Sequence, residues 1–242
     1  SLIMAASVWG NPAEGDMMRN FNSTQVGLEM LATFYNSIPV CMNELQITKD
    51  DRHSMDKEIY SFCEGNGKSR SNKNLGINRA NTWKNCLLTN GESPIIKGNS
   101  GAGAANRVIE IECKGKLFEN ASKSVDVFRE NYGFIGREWV EWLSVKENVD
   151  KCREMFNKIY EKLSEADTTE KQAMAASLII VADYFVTQLF FQDGLNLTKT
   201  DMVSFLKSAE TVSQEERAYE FIRSWIVINS VKFTGDSPNE TW

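Results

Sequence analysis

Two neighbouring side chains, Asn43 and Glu44, stand at the end of the apolar run Ile38-Pro39-Val40-Cys41-Met42. Such a run has the composition of a parallel strand buried on both faces. A buried strand tipped in this way suits hydrolysis of a phosphate chain. One side chain at the tip can serve the water shell of a magnesium ion, and the glutamate can orient the attacking water. An ordinary buried strand has the same texture, so this segment alone leaves both readings open. A second polar tip follows: Asn85-Cys86-Leu87-Leu88-Thr89 reads as a buried strand that ends on Asn90-Gly91-Glu92. The run Val108-Ile109-Glu110-Ile111 alternates as a third strand, entered through Arg107 from the small-residue loop Gly101–Asn106. That loop is no phosphate cradle, because it precedes a strand instead of opening a helix.

A change of charge lies between the first two of these strands. From Gly65 to Gly91 no aspartate or glutamate occurs, while Lys68, Arg70, Lys73, Arg79 and Lys84 are all positive, in a chain of net charge −6. A solvated loop is one reading. A hairpin whose side chains bind phosphates is the other. Gly65-Asn66-Gly67 and Asn74-Leu75-Gly76 supply its bends, which places Lys68, Arg70 and Lys73 near a tip.

Other chemistries have little support. His53 is the single histidine and lies at the polar start of a helical stretch, so no Ser-His-Asp or Cys-His arrangement can be built around it. The five cysteines (Cys41, Cys63, Cys86, Cys113, Cys152) show no metal-ligand spacing. They read as reduced and structural in a cytoplasmic protein. No basic-then-apolar leader opens the sequence, and the sequons at Asn22, Asn120, Asn196 and Asn239 carry no meaning without export. Ala173–Phe191 is apolar but interrupted by Asp183 and Gln188, which favours a buried helix over a membrane span.

The elements that must position the candidate residues alternate at first. Ser1–Trp9 reads as a helix stopped by Gly10-Asn11-Pro12, and Met17–Phe21 as a short strand. A helix capped by Asn22 or Ser23 runs to about Tyr35, ahead of the strand Ile38–Met42. This helix–strand alternation defines an α/β parallel sheet. Asp50–Cys63 is helical by its apolar spacing. From about Lys123 the pattern is helical throughout. Thr198 starts one late helix, and Ser213-x-x-Glu216 is a capping box for the last. The expected organisation is an α/β core over residues 1–120 and an all-helical portion over 121–242.

In this order the pieces resemble domain of unknown function 927, a P-loop ATPase domain of replication proteins from phages and integrative elements. The resemblance rests on Ala5-Ala6-Ser7-Val8-Trp9-Gly10, Leu28-Glu29-x-Leu31-Ala32 and Ile38-Pro39-Val40-x-x-Asn43-Glu44-Leu45. It continues through Gly65-Asn66-Gly67-Lys68-Ser69-Arg70, Leu87-Leu88-Thr89-Asn90-Gly91-Glu92 and Arg107-Val108-Ile109-Glu110-Ile111. Tyr132-Gly133-x-x-Gly136 and Trp225–Phe233 extend it more weakly. The resemblance implies a truncated additional-strand ATPase core related to ring-forming replicative helicases. It implies Asn43 at the magnesium-water position, Glu44 polarising the attacking water, Asn90 as the sensor of the γ-phosphate, and Arg107 as a finger reaching a neighbour's nucleotide. It also implies that Lys68, Arg70, Lys73 and Arg79 face single-stranded DNA in the channel of a ring.

Two departures bear on this. No Gly-x-x-x-x-Gly-Lys-Ser/Thr occurs, so the sequence is expected to start just after that loop. Asn43 also stands where the family has an aspartate, and a neutral amide is a weaker partner for magnesium. ATP and magnesium are therefore expected in the full-length protein, with none bound by this chain. A catalytically degenerate scaffold or DNA-binding module is the alternative, and an unrelated α/β binding domain is a third.

Overall fold

The computed structural model describes residues 2–43, 55–71, 79–97, 100–113, 115–116, 118–208 and 213–233. The first elements are α1 (Leu2–Ser7), β1 (Met18–Asn20), α2 (Gln25–Tyr35), β2 (Val40–Asn43), α3 (Asp56–Cys63), β3 (Leu87–Thr89) and a short helix α4 (Ala102–Ala105). The three strands form one parallel sheet in the order β1-β2-β3. Met18 aligns with Cys41 and Asn20 with Asn43, and on the other side Val40 aligns with Leu87 and Met42 with Thr89.

Strand β2 is apolar because it is covered twice. Successive side chains of a strand point to opposite faces. Val40 and Met42 accordingly pack with Ala32, Phe62 and Trp83, and Leu28 and Leu87 lie against that cluster. Cys41 faces the other way, into a second cluster with Leu2, Ala6 and Met18. Helix α1 thus lies on one face of the sheet and α2 and α3 on the other. Thr24, not Asn22 or Ser23, caps α2: its hydroxyl accepts from the Gly27 amide at 3.1 Å.

Beyond residue 120 the described elements are helical: α5 (Ala121–Glu130), α6 (Phe134–Leu143), α7 (Lys146–Ser164), α8 (Glu170–Val186) with a π-helical turn over Thr187–Phe191, α9 (Lys199–Val203), α10 (Gln214–Ile228) and α11 (Ser230–Phe233). Leu163 of α7 packs with Ala173, Ala176 and Ile180 of α8 and Met202 of α9. Thr198 caps α9 with the full reciprocal box, in which Asp201 returns a bond to the cap amide. The 22 residues Glu170–Phe191 are long and apolar enough to cross a membrane by length and composition. One face of this helix is buried on α7 and α9, while Met174, Leu178 and Ile179 are exposed on the other.

The expected strand over Val108–Ile111 is not found among the described residues. Val108–Ile111 has no strand partner among the described residues, and the small-residue loop ahead of it is helical over Ala102–Ala105. A side chain from the helical half takes the place of a strand. Gln172 of α8 donates to the carbonyls of Ala105 at 3.3 Å and Val108 at 2.9 Å. Alternation of Val108, Glu110 and their neighbours therefore reflects an extended segment docked on helices.

The glycines of Tyr132-Gly133-x-x-Gly136 hold the two halves together. The Gly133 amide donates to the carbonyl of Ser7 at 2.7 Å, and Gly136 to that of Val8 at 3.0 Å. These are the carbonyls left open at the C-terminal end of α1. A Cβ on Gly136 would lie 2.5 Å from the Val8 oxygen, so only glycine permits this approach. Gly136→Ala is expected to lower the unfolding free energy by about 1–3 kcal/mol in urea titrations. Gly115→Ala, whose new Cβ would meet nothing within 4 Å, is the control and should leave it unchanged.

Candidate functional site

Pairing of β2 with both neighbours brings three asparagines to one end of the sheet. Asn20 closes β1 and aligns with Asn43, which closes β2. Asn90 follows Thr89, the partner of Met42, and so stands one residue beyond the end of β3 beside Asn43. The carboxyl ends of parallel strands are where open α/β sheets bind ligands. By the alternation along β1 and β2, Asn20 and Asn43 share the face that Met18 and Cys41 present to α1. Glu44, the expected water-polarising residue, lies outside the described residues, as does His53.

Asn20 was not singled out from the sequence, although its position at a strand end was the available signal. Its amide nitrogen donates to Glu14 Oε1 at 2.8 Å, and its Oδ1 accepts from the Asn22 amide at 3.1 Å. These bonds fix the β1 tip. The tips of the three strands offer the amide groups of Asn20, Asn43 and Asn90, with Arg19 next to Asn20 in β1, and no cluster of three metal-ligating side chains occurs among the described residues.

Arg107 is held by its own chain. Its Nη1 donates to the Gly103 carbonyl at 2.7 Å, and its guanidinium lies 4.9 Å from the ring centroid of Tyr60 on α3. Tyr60 fits there because residue 103 is glycine: a Cβ at that position would collide with the tyrosine hydroxyl. Helix α4 places Arg107 one turn after Gly103, a local geometry that the expected loop-to-strand junction does not have.

The basic stretch is a hairpin at its base. Asn66 and Thr82 form an antiparallel bridge, the Gly67 amide donates to Asn81, and the Trp83 amide donates to Gly65. Trp83 is anchored in turn by a bond from Nε1 to the Phe62 carbonyl at 2.8 Å. Lys68 and Arg70 follow this bridge by two and four residues, and the expected tip beyond them lies outside the described residues. Lys68 Nζ donates to Gln25 Oε1 at 3.0 Å, and Arg70 pairs with Glu29 at 2.8 Å. Both partners belong to α2. Arg79 is exposed, and Lys73 lies outside the described residues.

Burial disfavours the thiolate at four of the five cysteines. Burial pushes the Cys41 thiol up to about 11, with the neighbouring Cys86 adding to the shift. Burial also raises Cys63, Cys86 and Cys152, so all four are protonated near neutrality.

With this geometry in place, the comparisons give a class and then a specific likeness. The chain has a helicase-like α/β fold. It superimposes on a solved structure described as "SCCmec type IV Cch - active helicase" with a TM-score of 0.67, at 20% sequence identity. The match covers 94% of this chain and 43% of that one, so the chain spans less than half the length of that helicase. A family model described as a domain of unknown function, DUF927, matches residues 1–83. No curated protein matches the chain.

Glu29 is 3% exposed and Arg70 39%. Removing the arginine would leave a buried carboxylate unpaired. Arg70→Ala is therefore expected to cost about 1–3 kcal/mol in chemical denaturation, more than an exposed ion pair contributes. A change below about 0.5 kcal/mol would show that Glu29 does not depend on its partner.

Proposed function

We propose that this chain is part of a helicase-like ATPase that couples ATP hydrolysis to movement along DNA in the replication of a mobile element. The observation that carries the reading is the alignment of Asn43 with the position of Asn90 at adjacent strand ends, on a fold shared with a helicase. In the full-length protein a phosphate-binding loop would supply the amides and lysine that this sequence does not contain. Asn43 and Glu44 would then serve the magnesium-bound and attacking waters, and Asn90 would sense the γ-phosphate. Arg107 would act across a subunit boundary in a ring, which requires it to leave Tyr60. The division into a core over 1–120 and a helical portion over 121–242, and the cytoplasmic location, belong to the same proposal.

Single-stranded DNA is the proposed partner of Lys68, Lys73 and Arg79. Arg70 has a smaller share because Glu29 already neutralises it. The chain of 242 residues by itself should not bind ATP appreciably in magnesium buffer, and micromolar affinity by calorimetry would overturn that.

A second reading, a degenerate ATPase serving as a scaffold, is favoured by Asn43, because an amide is a poor substitute for a carboxylate near magnesium. Turnover in the full-length protein separates the two. In the ATPase reading, Arg107→Ala lowers hydrolysis by a factor of about 10³–10⁵ and leaves nucleotide binding nearly intact. The scaffold reading has no turnover to lose, although it can still bind DNA. Changing Lys68, Lys73 and Arg79 together to alanine should reduce the salt dependence of single-strand binding. Each lost phosphate contact should flatten the slope by about 0.7 log units per log unit of salt. An unchanged slope would remove the hairpin from the DNA interface.

A further inference from the structure

Two of the hairpin's cations are held by one helix. Lys68 Nζ donates to Gln25 Oε1 at 3.0 Å, and Arg70 Nη2 donates to Glu29 Oε2 at 2.8 Å. Gln25 and Glu29 stand four residues apart on α2, so they lie one turn apart on the same face of the helix. The hairpin backbone can approach this face because residue 67 is glycine. A Cβ there would lie 2.9 Å from Glu29 Oε2.

The two grips differ in strength. Lys68 leaves only a neutral amide when it parts from Gln25, and a phosphate is a stronger acceptor for an ammonium group. Glu29 is 3% exposed, and its Oε1 is buried without a donor among the described residues. Without Arg70 this carboxylate would be a buried charge with no compensation, which is strongly unfavourable. Arg70 is 39% exposed and would find water by itself. The pair is therefore held together by the need of the glutamate. A guanidinium already balanced by a carboxylate at 2.8 Å brings little net charge to a phosphate and releases few counterions from a strand.

We propose that Glu29 sets how many phosphates the hairpin can hold: it keeps Arg70 out of the single-strand interface and leaves Lys68 available to it. This rests on the reading of the hairpin as a DNA-binding element. Strand and helix then compete for the same two cations, and α2 keeps one of them. Glu29 is a positioning residue that never meets the DNA. Arg70 is a reserve cation, and neutralising Glu29 should release it to the strand.

The test measures binding of a thymidine homopolymer to the full-length protein over a range of salt, by fluorescence anisotropy. Glu29→Gln keeps the shape of the side chain and removes its charge. It is expected to steepen the salt slope by about 0.7 log units per log unit of salt, the share of one phosphate. Over a drop of one log unit in salt, that adds about fivefold in affinity. Adding Arg70→Gln to this variant should cancel the gain. Glu161→Gln, which removes the same charge from an exposed position on α7, should leave the slope unchanged. A second arm needs no variant. Lysine acetylation and arginine modification by phenylglyoxal, mapped on the wild-type protein by mass spectrometry, should show the strand protecting Lys68 and not Arg70. Should Glu29→Gln fail to fold, this protection pattern decides. An unchanged or shallower slope in folded Glu29→Gln, or a gain that survives Arg70→Gln, would overturn the proposal and leave the hairpin as a DNA-binding element. Protection of Arg70 equal to that of Lys68 would do the same. Absence of strand binding by the wild-type protein would overturn both.

Discussion

Strand β2 is the constraint from which the rest follows. It is hydrogen-bonded on both edges and covered on both faces, so neither its backbone nor its side chains can find water. A strand in that position must be apolar along its length and can be polar only where it emerges. Met42 and Cys41 are therefore core residues, and Asn43 is the first position at which chemistry can begin. Because pairing fixes register, the tips of β1 and β3 are fixed by the same strand. The row Asn20, Asn43 and the adjacent Asn90 results from that pairing, whatever the three amides do.

Much of the α/β part could be read from periodicity. The order helix, strand, helix, strand holds through β2, and β3 lies where the run ending at Thr89 placed it. The errors lie where a distant side chain decides the outcome. Val108–Ile111 alternates in sequence, yet its carbonyls meet Gln172, 64 residues away, instead of a neighbouring strand. At Arg70 the charge also has a distant partner. Five cations stand without a local carboxylate in the sequence, and Glu29, which pairs with one of them, lies across the fold, 41 residues from Arg70. A glutamate within the apolar sequence Gly27-Leu28-Glu29-Met30-Leu31-Ala32 was the signal for it. Arg107 could be singled out by position, whereas its packing on Tyr60 depends on a missing Cβ at Gly103.

The segment from Ser100 to Glu110 is tied to the helical half as well as to α3, even though it follows β3. Gln172, 1% exposed, binds two of its carbonyls and accepts from the Lys207 amide. Thr169 bonds to Asn106, and Lys207 pairs with Glu110, which also receives the amides of Ile95 and Ile96. Polar groups buried in this way must all be satisfied together, because each loss leaves an orphan in a medium of low dielectric. Arg107 sits between these attachments and Tyr60, so its position depends on both halves of the chain.

The bonds from Gly133 and Gly136 to the end of α1 make that helix a mechanical part as well as a packed one. A helix end ordinarily frays, since its last carbonyls can exchange protein partners for water without loss. Here those carbonyls are clamped by backbone amides at 2.7 Å and 3.0 Å, with no flexible side chain between. Backbone-to-backbone links are stiff, and at Gly136 there is no spare room to absorb a slip. Translation of α1 along its axis by an ångström or so would therefore either break both bonds or drag the start of α6 with it. The end of α1 and the start of α6 are thus held in one register, and Trp139 and Trp142 stack on each other further along that same helix.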